Sequence, residues 1–175
     1  MPNPIQGSSL VLGVTGSIAC YKSADLASKL VQQGALVDVV LTRGAANFVT
    51  PLAFQSITHR PVLTKLFDPR SEAAIDHVAM AERADVLVVA PATAHTIARV
   101  ALGLADDALT TTVLATRAPV IVCPAMDGHM YDNPATQENL GRLRARGYEI
   151  AGPAEGRLAS GLIGTGRMLE PTEIV

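Results

Sequence analysis

Residues 10–14 form a short, almost unbroken apolar run, and only Thr15, Gly16 and Ser17 separate it from residues 18–30, where apolar side chains recur at helical spacing. A continuous apolar run suits a strand buried on both faces, and such strands need helices on each side. A three-residue connection then makes the strand feed straight into a helix. That geometry aims several unpaired N–H groups, and the positive helix end, at one point flanked by two hydroxyls. The same residues also suit an ordinary N-cap, so this stretch alone leaves anion site and simple cap equally open.

The pattern recurs along the chain. Gly34 closes the first helix, and residues 35–41, 85–90, 119–123 and 148–151 read as further strands. Residues 73–83, 96–104, 109–116 and 134–146 read as helices, the last opened by Pro134. Pro91 and Pro124 are taken as strand ends, and the region from Phe48 to Pro69 as irregular. After Ala151 comes a glycine-rich tail with Gly152, Gly156, Gly161, Gly164 and Gly166, and residues 170–175 are expected to form no terminal helix and to lead into further chain. Strands alternating with helices predict an α/β, three-layer α/β/α fold with a parallel sheet. Residues 1–175 are read as a single domain preceded by a polar tail over 1–9.

Composition narrows the function classes. Apolar residues make up 49% of the chain but aromatics only 3%, so the core must be built from Val, Leu, Ile and Ala. The net charge of −2, without a basic block, gives no ground for nucleic acid as a partner. The start of the chain lacks signal-peptide character, and no apolar stretch is long enough for a bilayer. Cys20 and Cys123 are isolated thiols without metal-ligand spacing, so both are expected in the core of a reduced, cytoplasmic protein with no metal site.

Ligands of open parallel sheets bind beyond the carboxyl ends of the strands. Collected there are Thr15-Gly16-Ser17, Thr42-Arg43-Gly44, Pro91-Ala92-Thr93-Ala94-His95-Thr96 and Pro124-Ala125-Met126-Asp127-Gly128-His129-Met130. A dinucleotide site wants Gly-x-Gly-x-x-Gly after the first strand and an acidic residue closing the second. The first loop has one glycine at its turn and the second strand closes on Leu41-Thr42-Arg43, which disfavours NAD. A single-phosphate ligand such as FMN fits better.

Gly13-Val14-Thr15-Gly16-Ser17-Ile18-Ala19, the Pro-Ala-Thr-Ala-His-Thr run and the Pro-Ala-Met-Asp-Gly-His-Met run resemble the signatures of the homo-oligomeric flavin-containing cysteine decarboxylases. The resemblance extends over residues 10–175 and implies a Rossmann-like flavoprotein fold. It implies FMN as cofactor, held by Gly16, Ser17, Ile18, Thr42, Thr93, Ala94, His95, Thr96 and Ala125. It assigns His77, in Asp76-His77-Val78-Ala79-Met80-Ala81, as the catalytic base, although a histidine early in a helix is by itself more often a surface residue. It makes residues 152–170 a substrate clamp, with Asp127, Met130, Ala159 and Arg167 touching substrate and Ser160 at the proton-donor position. Partners implied are a small cysteine-derived carboxylate and further copies of the chain, as a homo-trimer or a dodecamer of trimers. In many bacterial members a ligase domain follows.

The family's chemistry explains the flavin. Oxidising the CH2–SH carbon to a thioaldehyde places C=S β to the carboxylate, so that sulfur can accept the electrons released with CO2 as an enethiolate. In the coenzyme A branch, acting on 4'-phosphopantothenoylcysteine to give 4'-phosphopantetheine, the hydride is then returned. Ser160 stands where that branch has a cysteine, and Asp127 where the family usually has an asparagine that holds the substrate carboxylate. A serine hydroxyl is a far weaker acid than a thiol of pKa about 8.5. The clamp runs, Gly156-Arg157-Leu158-Ala159-Ser160-Gly161 and Gly164-Thr165-Gly166-Arg167-Met168, resemble the coenzyme A branch, which is the reading favoured. The alternative is a peptidyl-cysteine oxidative decarboxylase of lantibiotic-type maturation that stops at the enethiol. A non-catalytic FMN-binding protein is a further alternative, which would need neither His77 nor the clamp.

Overall fold

The computed structural model describes residues 3–67 and 76–175. The apolar runs become β1 (Ser9–Val14), β2 (Leu36–Leu41), β3 (Val62–Leu63), β4 (Val86–Ala92), β5 (Val120–Pro124) and β6 (Glu149–Ile150). They form one parallel sheet in the order β3-β2-β1-β4-β5-β6. Around it lie α1 (Cys20–Gln32), α2 (Pro51–Thr58), α3 (Asp76–Arg83), α4 (Ala94–Leu102), α5 (Ala108–Ala115), α6 (Gly128–Asp132), α7 (Pro134–Ala145) and α8 (Pro171–Ile174). A separate antiparallel hairpin, β7 (Ala154–Arg157) and β8 (Ile163–Arg167), carries the glycine-rich tail.

Strand alternation divides the core into two layers. Leu10, Leu12, Val14, Val37, Val39 and Leu41 pack with Leu26 and Leu30 of α1 and Phe54 of α2. Val11, Val40, Leu87 and Val89 face the other way, onto Ile97, Leu109, Val113, Leu140 and Leu143 of α4, α5 and α7. This is the expected three-layer α/β/α arrangement. At Gly13 a Cβ would lie 2.3 Å from Leu109 Cδ1, so the glycine lets α5 settle onto the sheet. Both cysteines are free and buried. No helix among the described residues is long and apolar enough to cross a membrane.

Several details differ from the sequence reading. The region taken as irregular contains a 3-10 turn at Ala45–Asn47, α2 and the two-residue β3. Helix α6 and the terminal helix α8, the latter built on a Glu170–Glu173 capping box, were not expected. β4 and β5 do not stop before their prolines but run through Pro91 to Ala92 and through to Pro124. Proline lacks only its N–H, and the carbonyls here keep their bonds. Pro91 O accepts from Thr15 Oγ1 at 2.7 Å, and Ala92 O from Ala125 N at 3.0 Å. The expected start of the third helix at 73 lies outside the described residues.

Asp38, 3% exposed in β2, is held by Arg60 Nε at 2.7 Å and Arg83 Nε at 2.9 Å. A buried carboxylate needs such partners. Asp85, just beyond α3, donates its N–H to Ser9 O at 2.8 Å, at the amino end of β1. The carboxy-terminal end of α3 is thereby fixed at the amino end of the sheet. Its opposite end, with His77, points toward the end where the functional loops gather.

Candidate functional site

The strand order reverses between β1 and β4, and a cavity of about 1080 Å³ opens across the carboxyl ends of these strands. Its floor comes from the loops after β1, β2, β4 and β5, and its outer wall from the β7–β8 hairpin. The volume reaches the upper range of small-molecule sites, room for a cofactor and a substrate together.

The loops hold one another in place. Thr15, 1% exposed, donates to Pro91 O and accepts from Thr93 N at 3.0 Å. Its hydroxyl is therefore spent on joining the first and third loops, which corrects the expectation that both hydroxyls of the first turn face a ligand. Gly16 packs on the second loop so closely that a Cβ would meet Gly44 C at 2.9 Å. Ser17 lies in the cavity wall and accepts from Ala19 N at 3.2 Å. Helix α1 begins at Cys20, and its N-cap Ala19 makes no side-chain capping bond; Cys20 N and Lys22 N donate to Ser17 O and Ala19 O, and no side chain covers the positive end of the helix. Helix α4, in contrast, is capped by Thr93, whose Oγ1 accepts from Thr96 N at 3.2 Å.

The cavity brings together Gly16, Ser17, Ile18, Thr42, Thr93, Ala94, His95, Thr96 and Ala125 with Asp127, Met130, Ala159, Ser160 and Arg167. His77 is the exception: half-buried on the first turn of α3, it is not part of this wall. The wall also includes residues the sequence reading missed, above all Arg99, Asp107 and Lys22. Arg99, 12% exposed, donates from Nη1 to Asp107 Oδ2 at 2.7 Å and from Nη2 to Thr110 Oγ1 at 3.3 Å, and it also pairs with Asp106. Its Nε is buried with no partner. Burial alone would raise the pKa of Asp107, but the Thr110 N–H and the Arg99 guanidinium outweigh it and hold the carboxyl below its ordinary value. Lys22, 5% exposed, donates to Met168 O and to Glu170 Oε1, both at 2.9 Å. Glu170, also paired with Arg167, has its pKa lowered, chiefly by the Lys22 hydrogen bond.

Asp127 and Ser160 meet although 33 residues separate them, Ser160 Oγ donating to Asp127 Oδ2 at 2.8 Å. Two contacts fix the hairpin that carries Ser160 against the loop that carries Asp127. Met126 N donates to Gly166 O at 2.9 Å, and a Cβ on Gly166 would lie 2.2 Å from Met126 O. Asp127 Oδ1 meanwhile accepts from His129 N at 3.1 Å as the cap of α6. The Ser160 hydroxyl first, and the His129 N–H second, hold the Asp127 carboxyl below its usual pKa.

Fold and cavity together define an α/β protein with a small-molecule site at the switch point of a parallel sheet. The chain belongs to the flavoprotein family, whose sequence profile matches residues 2–175. It is 52% identical over 171 residues to the coenzyme A biosynthesis bifunctional protein CoaBC of Vibrio vulnificus, covering 98% of this chain and 43% of that protein. The chain thus spans less than half the length of that relative. A PPC decarboxylase carrying a cysteine-to-serine mutation, complexed with pantothenoylaminoethenethiol, superposes with a TM-score of 0.85 at 30% identity, over 97% of this chain and 94% of that one. The FMN-dependent cysteine decarboxylase SpaF superposes with a TM-score of 0.81 at 31% identity, over 93% and 91%.

Proposed function

We propose that this chain is an FMN-dependent carboxy-lyase that converts 4'-phosphopantothenoylcysteine to 4'-phosphopantetheine in coenzyme A biosynthesis, in the cytoplasm. The observation that carries the reading is the cavity itself: a helix start without a side-chain cap beside Ser17, facing a clamp that brings a carboxyl and a hydroxyl to the same space. The 52% identity to a coenzyme A biosynthesis protein favours this substrate over a cysteine-ended peptide.

The residues present fit FMN. The Ser17 hydroxyl and the uncapped N-terminus of α1 suit a phosphate, and Gly16 leaves the backbone accessible. Arg99 Nε, buried without a partner, offers a donor at the wall. Ile18, Met126, Met130, Leu158 and Met168 give the cavity apolar surface suited to a flat ring. When bound, FMN supplies a two-electron acceptor and donor for the CH2–SH carbon.

Around it the chain's own side chains have separable tasks. Met130, Ala159 and Arg167 orient the substrate under the hairpin, and Lys22 ties the base of that hairpin to α1. His77 is the base that assists deprotonation. Since His77 does not line its own chain's cavity, it serves the cavity of a neighbouring copy in a trimer-based homo-oligomer.

The test is anaerobic mixing of the FMN-loaded protein with phosphopantothenoylcysteine, flavin absorbance and product mass being followed together. Bleaching and recovery with phosphopantetheine formed is the expected result. A flavin that does not respond, or that responds only to a cysteine-ended peptide, overturns the assignment.

A further inference from the structure

The two positions at which this chain departs from its family's pattern are in direct contact. Asp127 replaces the usual asparagine and Ser160 the proton-donating cysteine, and the two side chains share a 2.8 Å hydrogen bond across the mouth of the cavity. We propose that Asp127 and Ser160 work as one unit, which takes up a proton when the substrate carboxylate binds and delivers it to the carbon that CO2 has left. The inference rests on the decarboxylase reading above.

Without substrate, Asp127 is a carboxylate, because the Ser160 hydroxyl and the His129 N–H both donate to it. A substrate carboxylate placed where the family's asparagine would hold it sets two like charges side by side, and such a pair retains one proton. Three positive groups of the wall are already engaged. Lys22 is engaged by Glu170, Arg99 by Asp106 and Asp107, and Arg167 by Glu170, while His129 offers Asp127 its backbone N–H. Arg43 and Arg157, with His95, are the other basic side chains of the wall, on the second loop, the hairpin and α4.

Loss of CO2 removes the negative neighbour that kept the proton on Asp127. The acid is therefore weak while the substrate is intact and strong once the carboxylate has gone, the moment at which the enethiolate needs a proton. The step balances. The Asp127 O–H bond breaks as the α-carbon C–H bond forms, and the enethiolate becomes a thioaldehyde. The hydride removed in the first half-reaction returns to the thioaldehyde carbon, so the sequence consumes one proton and no net oxidant. Ser160 is the positioning residue: it donates to the carboxylate before binding and after proton delivery, and rotates to accept from the carboxyl between.

Two measurements on the FMN-loaded protein test this. Calorimetric binding of the non-reacting serine analogue, phosphopantothenoylserine, in buffers of different ionisation enthalpy should show uptake of one proton near pH 7.5 by the wild type and none by Asp127→Asn. Ser160→Ala should move the pH midpoint of that uptake upward, since a bond favouring the carboxylate is lost. In anaerobic single turnover, Asp127→Asn should still bleach but recover at least about 100-fold more slowly than the wild type, with trapped enethiol accumulating. Binding without proton uptake in the wild type, or wild-type recovery in Asp127→Asn, overturns the proposal. Failure of the wild type to bleach at all refutes the decarboxylase reading instead, and this proposal with it.

Discussion

Substituting alanine at Gly166 isolates the contact on which the candidate site's outer wall depends. The new Cβ would sit 2.2 Å from Met126 O, 3.3 Å from Met126 C and 3.4 Å from Asp127 C. All three are backbone atoms, so no rotamer relieves the overlap. The hairpin must retreat by about 1 Å to reach ordinary contact. A shift of that size takes the 2.9 Å Met126 N–Gly166 O bond out of hydrogen-bonding range, at a cost of about 1 kcal/mol. Adding residual strain gives a loss of about 1–2 kcal/mol, or roughly 2–8 °C in Tm for a domain of this size. The effect on turnover is far larger, because a 1 Å misplacement of positioned groups costs ~100-fold. Gly164→Ala is the control: its Cβ meets nothing nearer than Leu158 Cδ1 at 3.7 Å, so Tm and kcat/KM should stay close to wild type. Thermal unfolding and steady-state decarboxylation of both variants provide the comparison. An undisturbed Gly166→Ala, or a Gly164→Ala damaged as badly, would refute the reasoning.

Ser17→Ala should weaken FMN by about 1–2 kcal/mol, a 5–30-fold rise in Kd by flavin fluorescence titration, through loss of one hydrogen bond to a charged group. His77→Asn should bind FMN normally and abolish turnover, yet regain activity when co-expressed with Gly166→Ala, since mixed assemblies contain sites that combine an intact hairpin with an intact His77. Decarboxylation by His77→Asn at the wild-type rate would remove the base assignment. Asp107 and Glu170 both have folded-state pKa values below their ordinary ones, so their stabilisation is complete above about pH 5 and is lost as pH falls through the lowered values. Denaturant titrations across pH 2–6 should show Asp107→Asn losing part of the acid-side slope; an unchanged slope would count against the Arg99–Asp107 contact.

The layers and the loop positions could be read from the chain because they depend on local patterns. Leu10–Val14 and Val86–Val89 are apolar runs that only a doubly covered strand accommodates, and the motifs after them fall at strand ends by connectivity. The two residues of β3 are too few for any periodicity. Thr50 before Pro51 was a readable start for α2, with Thr50 Oγ1 accepting from Ala53 N at 3.4 Å. Arg99 carries no signal in the sequence, because Asp107 reaches it only when α4 and α5 fold together. Likewise Asp127 and Ser160 each stood out as a departure, but only the hairpin's return across the sheet puts one against the other.

A two-stranded ribbon is marginal in isolation, and this one leaves Leu162 and Ile163 largely exposed. Its tethers to the sheet domain include the Met126–Gly166 backbone bond, the Lys22 bond to Met168 O and the Ser160–Asp127 bond. Such a segment is a foldon of its own, opening at a free energy well below that of global unfolding, so the amides of Leu158 and Gly161 should exchange with solvent long before those of Leu12 or Val88. Because the loops after β1 and β4 are braced by Thr15, Gly16 and the strands rather than by the ribbon, such opening would, in the proposed enzyme, exchange substrate for product without loosening the cofactor. In the proposed enzyme the residence times of the two ligands would thereby be set by different parts of the molecule.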